Sequence, residues 1–143
     1  MKKILLIFFI FNILCSCIFS FDMNSIKNHL GKEISSNKSI YPDMKVSQDT
    51  YSNWFFEDGN EYLLRCFLIN NKITGVECTL FVNSQNEAIE LFNKLKRENT
   101  MPSGGKLLVD TANDYMWTFS KSILVLIRIM YENGKYGVTL RFH

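Results

Sequence analysis

Residues 122–142 read SILVLIRIMYENGKYGVTLRF. Asn133-Gly134 is the strongest dipeptide signal for a two-residue type I′ turn, because both central residues of that turn need positive φ. A turn there pairs Tyr131 with Tyr136, Ile129 with Val138, Ile127 with Leu140 and Val125 with Phe142. Every pair is apolar or aromatic, while the other face carries Arg128 with Thr139 and Leu126 with Arg141. A slip of one residue would exchange the faces, so the pattern specifies an antiparallel hairpin in one register.

Working outward, Tyr115, Trp117 and Phe119 alternate with Met116 and Thr118, and can fold back over residues 120–122 to extend the apolar face. The same pattern occurs earlier in the chain. At a constant offset of 63, Trp54, Phe56, Leu63, Arg65, Asn70 and Lys72 match Trp117, Phe119, Leu126, Arg128, Asn133 and Lys135. Omitting Thr74 then brings Gly75-Val76 onto Gly137-Val138. A fixed internal period is informative before any single element is assigned. It predicts that Asp58-Gly59 turns residues 54–57 into 60–69, and that Asn70-Asn71 turns those into 72–82. Thr74 then becomes a β-bulge beside Gly75. In that register Arg65 opposes Glu77, a favourable charge pair, Cys66 opposes Val76 and Leu64 opposes Cys78. Alternation puts Trp54 and Phe56 on the core face and Phe55 and Phe67 on the other.

Between the halves, Ser84-Gln85-Asn86-Glu87 is a capping box, and Ala88, Leu91, Phe92 and Leu95 form one helical stripe with Glu90–Lys94 as an i,i+4 pair. Residues 99–105 make a loop. Asn24-Ser25 before Ile26, Leu30 and Ile34 signals a shorter helix, and residues 40–50 a loop with at most one short strand. The expected order is α-βββ-α-βββ. This is an α+β fold with an antiparallel sheet and helices on one face, a tandem duplication of an α-β-β-β unit with halves 21–82 and 83–143.

The first residues carry Lys2-Lys3, an apolar run from Ile4 to Leu14, and small residues at Cys15-Ser16-Cys17 and Ser20. That is the pattern of a cleaved secretion signal over residues 1–20, and it is shorter than the ~20 apolar residues of a spanning helix. Leu14-Cys15-Ser16-Cys17 also resembles a bacterial lipobox, with Cys17 as the lipidated residue. The expected location is secreted or periplasmic, with a lipid-tethered form as the alternative and membrane contact only through Cys17. Loss of Lys2 and Lys3 would lower the 16 basic residues to 14, equal to the 14 acidic ones. A neutral, mixed surface argues against nucleic acid as a partner, since phosphate contact needs a clustered basic face.

The chemistry-bearing residues are sparse. His29 and His143 have no companion at metal-ligand spacing, so no metal or cofactor is expected. Cys66 and Cys78 are a candidate disulfide in an oxidising compartment. The register makes them diagonal neighbours about 7–8 Å apart, beyond the usual 4.4–6.8 Å between bridged Cα atoms. Ser103-Gly104-Gly105-Lys106 lacks the spacing of a phosphate loop, and Asn37-Lys38-Ser39 is a bare sequon. The carboxylates Glu57, Asp58, Glu87, Glu90, Glu98, Asp110 and Asp114 fall on turns, loops and helix surface.

No catalytic constellation emerges, and the chain reads as a non-enzymatic binding module acting on another protein. Its expected interaction face holds Phe55, Leu63, Arg65, Phe67, Leu126, Arg128 and Arg141. The alternative is a small-ligand or envelope-component binder with a cleft between the halves, lined by Tyr41, Tyr51 and Tyr115.

Overall fold

The computed structural model describes residues 21–34, 45–47, 49–120 and 123–143. The leader, Cys17, Tyr41 and the sequon at Asn37 lie outside the described residues. Three turns organise the chain. Asp58-Gly59, Asn70-Asn71 and Asn133-Gly134 all take positive φ (50° and 77°, 51° and 63°, 53° and 80°). Asn, Asp and Gly tolerate that region, so each pair closes a tight hairpin whose twist suits its strands.

The strands are β1 (Lys45–Ser47), β2 (Thr50–Glu57), β3 (Asn60–Ile69), β4 (Lys72–Val82), β5 (Lys106–Asp110), β6 (Asp114–Phe119), β7 (Ile123–Glu132) and β8 (Lys135–Phe142). They form one eight-stranded sheet in the order β1-β2-β3-β4-β8-β7-β6-β5, antiparallel throughout. Each half is a four-strand meander, and the halves meet where β4 pairs with β8. The β7–β8 register is the one expected from Asn133-Gly134. In β3–β4 the expected pairs Arg65–Glu77, Cys66–Val76 and Leu64–Cys78 form, and the register shifts around Thr74 as a bulge does.

The helix α1 (Gln85–Glu98) is capped by Ser84, whose hydroxyl accepts from the Glu87 N–H at 3.2 Å. It lies on β4, β7 and β8, and a 3-10 helix, Met23–His29, lies on β4 and β8. Ala88, Phe92 and Leu95 from α1, with Met23 and Ile26, share one apolar cluster with Cys78, Val125, Ile127, Val138 and Leu140. Both helical segments therefore cover one face, as expected. The chain is mostly β with some helix.

Four expectations are corrected. The described residues hold eight strands: β1 is the short strand allowed within residues 40–50, and β5, an edge strand of five residues, is one more than expected and too short for alternation to reveal. The first helical segment is 3-10. The i,i+4 ion pair of α1 is Lys94–Glu98 at 3.9 Å in place of Glu90–Lys94.

The largest correction concerns β2. Its two-residue turn pairs Phe55 with Tyr62 and Trp54 with Leu63. Phe55 therefore faces the core, its ring stacked 5.1 Å from Tyr62 and edge-on to Phe21. Trp54 and Phe56 point to the helix-free face, 53% and 74% exposed. In the second half three residues, 120–122, separate the paired Phe119 and Ile123, so Trp117 pairs with Val125 and is buried. One additional turn residue thus reverses the faces of β6 relative to β2. Trp54 and Trp117 match in sequence and differ in environment.

Candidate functional site

The helix-free face is where long polar and aromatic side chains collect. From β3 it carries Glu61, Leu63, Arg65 and Phe67, from β4 Glu77, Thr79 and Phe81, from β8 Thr139 and Arg141, and from β7 Leu126, Arg128 and Met130. Of the predicted interaction residues, the structure brings Leu63, Arg65, Phe67, Leu126, Arg128 and Arg141 to this face and sends Phe55 to the other. That correction was legible in advance: a two-residue turn at Asp58-Gly59 forces the Phe55–Tyr62 pairing.

The arginines are engaged within the sheet. Arg65 donates to Glu77 at 2.8 Å, Arg128 to Asp114, and the Arg141 guanidinium lies 4.3 Å from the centre of the Phe67 ring. Glu77 is itself the cross-strand partner of Arg141, so one carboxylate sits between two guanidinium-bearing strands. Leu63 is buried although it lies outside the core cluster, and Thr79 and Thr139 are buried with their hydroxyls 2.8 Å apart.

Toward the end of the sheet carrying the Asp58-Gly59 and Asn133-Gly134 turns, the face opens into a pocket of about 310 Å³. Trp54 and Phe81 stack with centroids 5.2 Å apart and form one wall. Leu63, Thr79 and Met130 line it, and Glu61, Arg65, Glu132, Asn133 and Lys135 supply its polar groups. Lys135 bridges to Glu61 at 2.5 Å. Next to the pocket residues, β8 carries a glycine, Gly137, where a side chain would press on three neighbours. A Cβ on Gly137 would lie 3.0 Å from Thr79 Cγ2, 3.1 Å from Met130 Cγ and 3.4 Å from Phe81 Cε1. The pocket straddles the β4–β8 seam, with walls from both halves. Phe81 and Met130 were not singled out from sequence, while Trp54 was read as a core residue and Asn133 only as a turn residue. Tyr51 and Tyr115, expected to line an inter-half cleft, are instead buried in the core on the opposite face.

Elsewhere the chemistry is quiet. His29 is buried under the sheet and His143 is exposed at the end of β8, with Nδ1 over Gly75. Among the described residues no three His, Cys, Asp or Glu side chains gather as metal ligands do, and no helix is long and apolar enough to cross a membrane. Ser103-Gly104-Gly105-Lys106 leads into a strand, β5, and not into a helix N-terminus.

Cys66 and Cys78 are free and buried. Burial pushes the Cys66 thiol up to about 11, and raises Cys78 further, with the Glu77 charge a lesser cause. A thiol whose folded pKa exceeds its unfolded value of 9.0 keeps its proton when the unfolded chain has lost it. Stability should therefore fall as pH rises from 9.0 through about 11, by at most about 1.4 kcal/mol per pH unit per thiol. Denaturant melts across that range check the slope, which a Cys66→Ala/Cys78→Ala variant should flatten. In the native protein a disulfide-exchange reagent at pH 8 should leave both thiols unmodified. Rapid native modification would contradict the burial.

Searches against models of known families, curated proteins and solved structures find no match.

Proposed function

We propose that the chain is a non-enzymatic binding module that works outside the cytoplasm and engages another protein through the helix-free face of its sheet. The observation that carries this reading is the exposure of two large aromatics, Trp54 and Phe56, in alternate positions of β2, on the face that also holds Arg65, Arg128 and Arg141. Aromatic and Arg side chains are the groups that dominate protein–protein contacts. The extracytoplasmic part rests on the basic, apolar and small-residue pattern of residues 1–20. The test is affinity capture from an envelope extract, with bait recovered from its host so that intact mass reports the cleavage site and any lipid on Cys17. A stoichiometric partner should be retained by the wild type and lost with Trp54→Ala/Phe56→Ala. A partner held equally by both, or none, would count against the reading.

A second reading is favoured by the pocket: a small-ligand site at the seam between the halves. Pockets at the junction of two units are common ligand sites. Duplication of a helix-plus-meander unit is part of this proposal. It is supported by the matching strand order of the halves and by the pairing of Cys78 with Leu140, residues that the period equates once Thr74 is omitted. The pair sits where a two-fold axis between the halves would pass. Relatives whose halves resemble each other no more than shuffled sequences would remove the duplication.

A further inference from the structure

We infer that the pocket at the seam binds a neutral pyranose sugar, with the sugar's apolar face laid on the exposed part of the Trp54 indole, whose other side is backed by Phe81. The inference rests on the small-ligand reading of the same pocket and names its ligand class. Its volume, about 310 Å³, is at the lower end of small-ligand sites and suits one sugar ring with room for substituents. A pyranose has an apolar C–H face and a rim of hydroxyls. The pocket has the complementary arrangement. The stacked Trp54–Phe81 pair gives an aromatic wall, and Trp54 keeps 53% of its surface exposed.

The polar rim fits hydroxyls better than ions. Glu132 opposes Lys135 across the β7–β8 turn, and Lys135 reaches Glu61, which sets acceptor, donor and acceptor in a row. Asn133 adds an amide that both donates and accepts. A hydroxyl is likewise donor and acceptor at once, so successive hydroxyls can satisfy such a row. Lys135 pairs with Glu61 and Arg65 with Glu77. Once Glu77 and its cross-strand neighbour Arg141 are counted, the carboxylates Glu61, Glu77 and Glu132 are matched by Arg65, Lys135 and Arg141, so this part of the face offers no net charge to an ionic ligand. An extended peptide is disfavoured by position. The pocket lies over interior strands, while strand addition needs the unpaired backbone of an edge, found here at β1 and β5.

The two indole N–H groups make the test direct. Trp54 lines the pocket, whereas Trp117 Nε1 donates to the Asn99 carbonyl at 2.8 Å and serves as an internal reference. In ¹H–¹⁵N spectra, methyl glycosides of glucose, galactose, mannose and N-acetylglucosamine, and their short oligomers, are titrated into the protein. At least one should shift the Trp54 indole saturably and leave Trp117 in place. By saturation-transfer measurement, Trp54→Ala should weaken that sugar by at least about tenfold. Glu132→Gln, at an exposed position, should weaken it severalfold with the fold unchanged. If free indole or a short aromatic peptide saturates the pocket and no sugar does, the saccharide assignment falls while the small-ligand reading stands. If no probe moves the Trp54 indole, both fall.

Discussion

Replacing Leu140 with alanine is expected to lower the unfolding free energy by about 2–5 kcal/mol, a large fraction of the about 5–15 kcal/mol that holds a domain folded. Leu140 is fully buried within β8, opposite Cys78 on β4 and Ile127 on β7, beneath the helical layer. Truncation removes the transfer energy of its side chain and leaves a cavity. The surrounding strands cannot collapse into that cavity, because each is held in register on both sides. Leu140 also lies at the join of the two meanders, so the loss should appear in one cooperative transition and not as unfolding of half the sheet. In guanidinium melts the midpoint should fall with the slope unchanged. Phe56→Ala, on the helix-free face at 74% exposure, should stay within about 0.5 kcal/mol of wild type. A Leu140→Ala cost below about 1 kcal/mol would mean that the core is not packed as described.

How much of this was legible in the sequence can be argued from individual residues. The β7–β8 hairpin was fully readable, because Asn133-Gly134 admits one turn and every cross-strand pair then sorts by polarity. The β3–β4 hairpin was readable for the same reason, with Thr74 as the bulge and Arg65–Glu77 as the charge check. Alternation alone could not place Trp54, because it says that Trp54 and Phe56 share a face and leaves to turn length which face that is. The Asp58-Gly59 turn has two residues and its counterpart three, and a single residue reverses a strand's faces. The short edge β5 left no periodic trace, and β1 showed only as room for one short strand within residues 40–50. The pocket was hidden for a different reason. Its residues come from β2, β3, β4, β7 and β8, and only the pairing of β4 with β8 brings Phe81 near Met130. Nothing local in the sequence announces that pairing.

The buried hydroxyl pair at that seam yields the second large effect. Thr79 and Thr139 oppose each other across β4–β8, are 1% and 2% exposed, and share a 2.8 Å hydrogen bond. Changing Thr79 to valine keeps the branched shape, including the methyl against which Gly137 packs, and removes one hydroxyl. The Thr139 hydroxyl is then left without that partner in a site closed to water, at a cost of about 1–3 kcal/mol. Thr139→Val should cost a similar amount. The double variant Thr79→Val/Thr139→Val leaves no hydroxyl to satisfy and should return to within about 1 kcal/mol of wild type. A double-mutant cycle from denaturant melts should therefore show the double variant costing less than the sum of the singles, a coupling of about 1–6 kcal/mol in magnitude. The result also bears on the pocket, since Thr79 lines it. If both single variants are neutral, water reaches these hydroxyls. The Trp54–Phe81 wall would then stand over a wet floor, and a stacked ring would gain less from it.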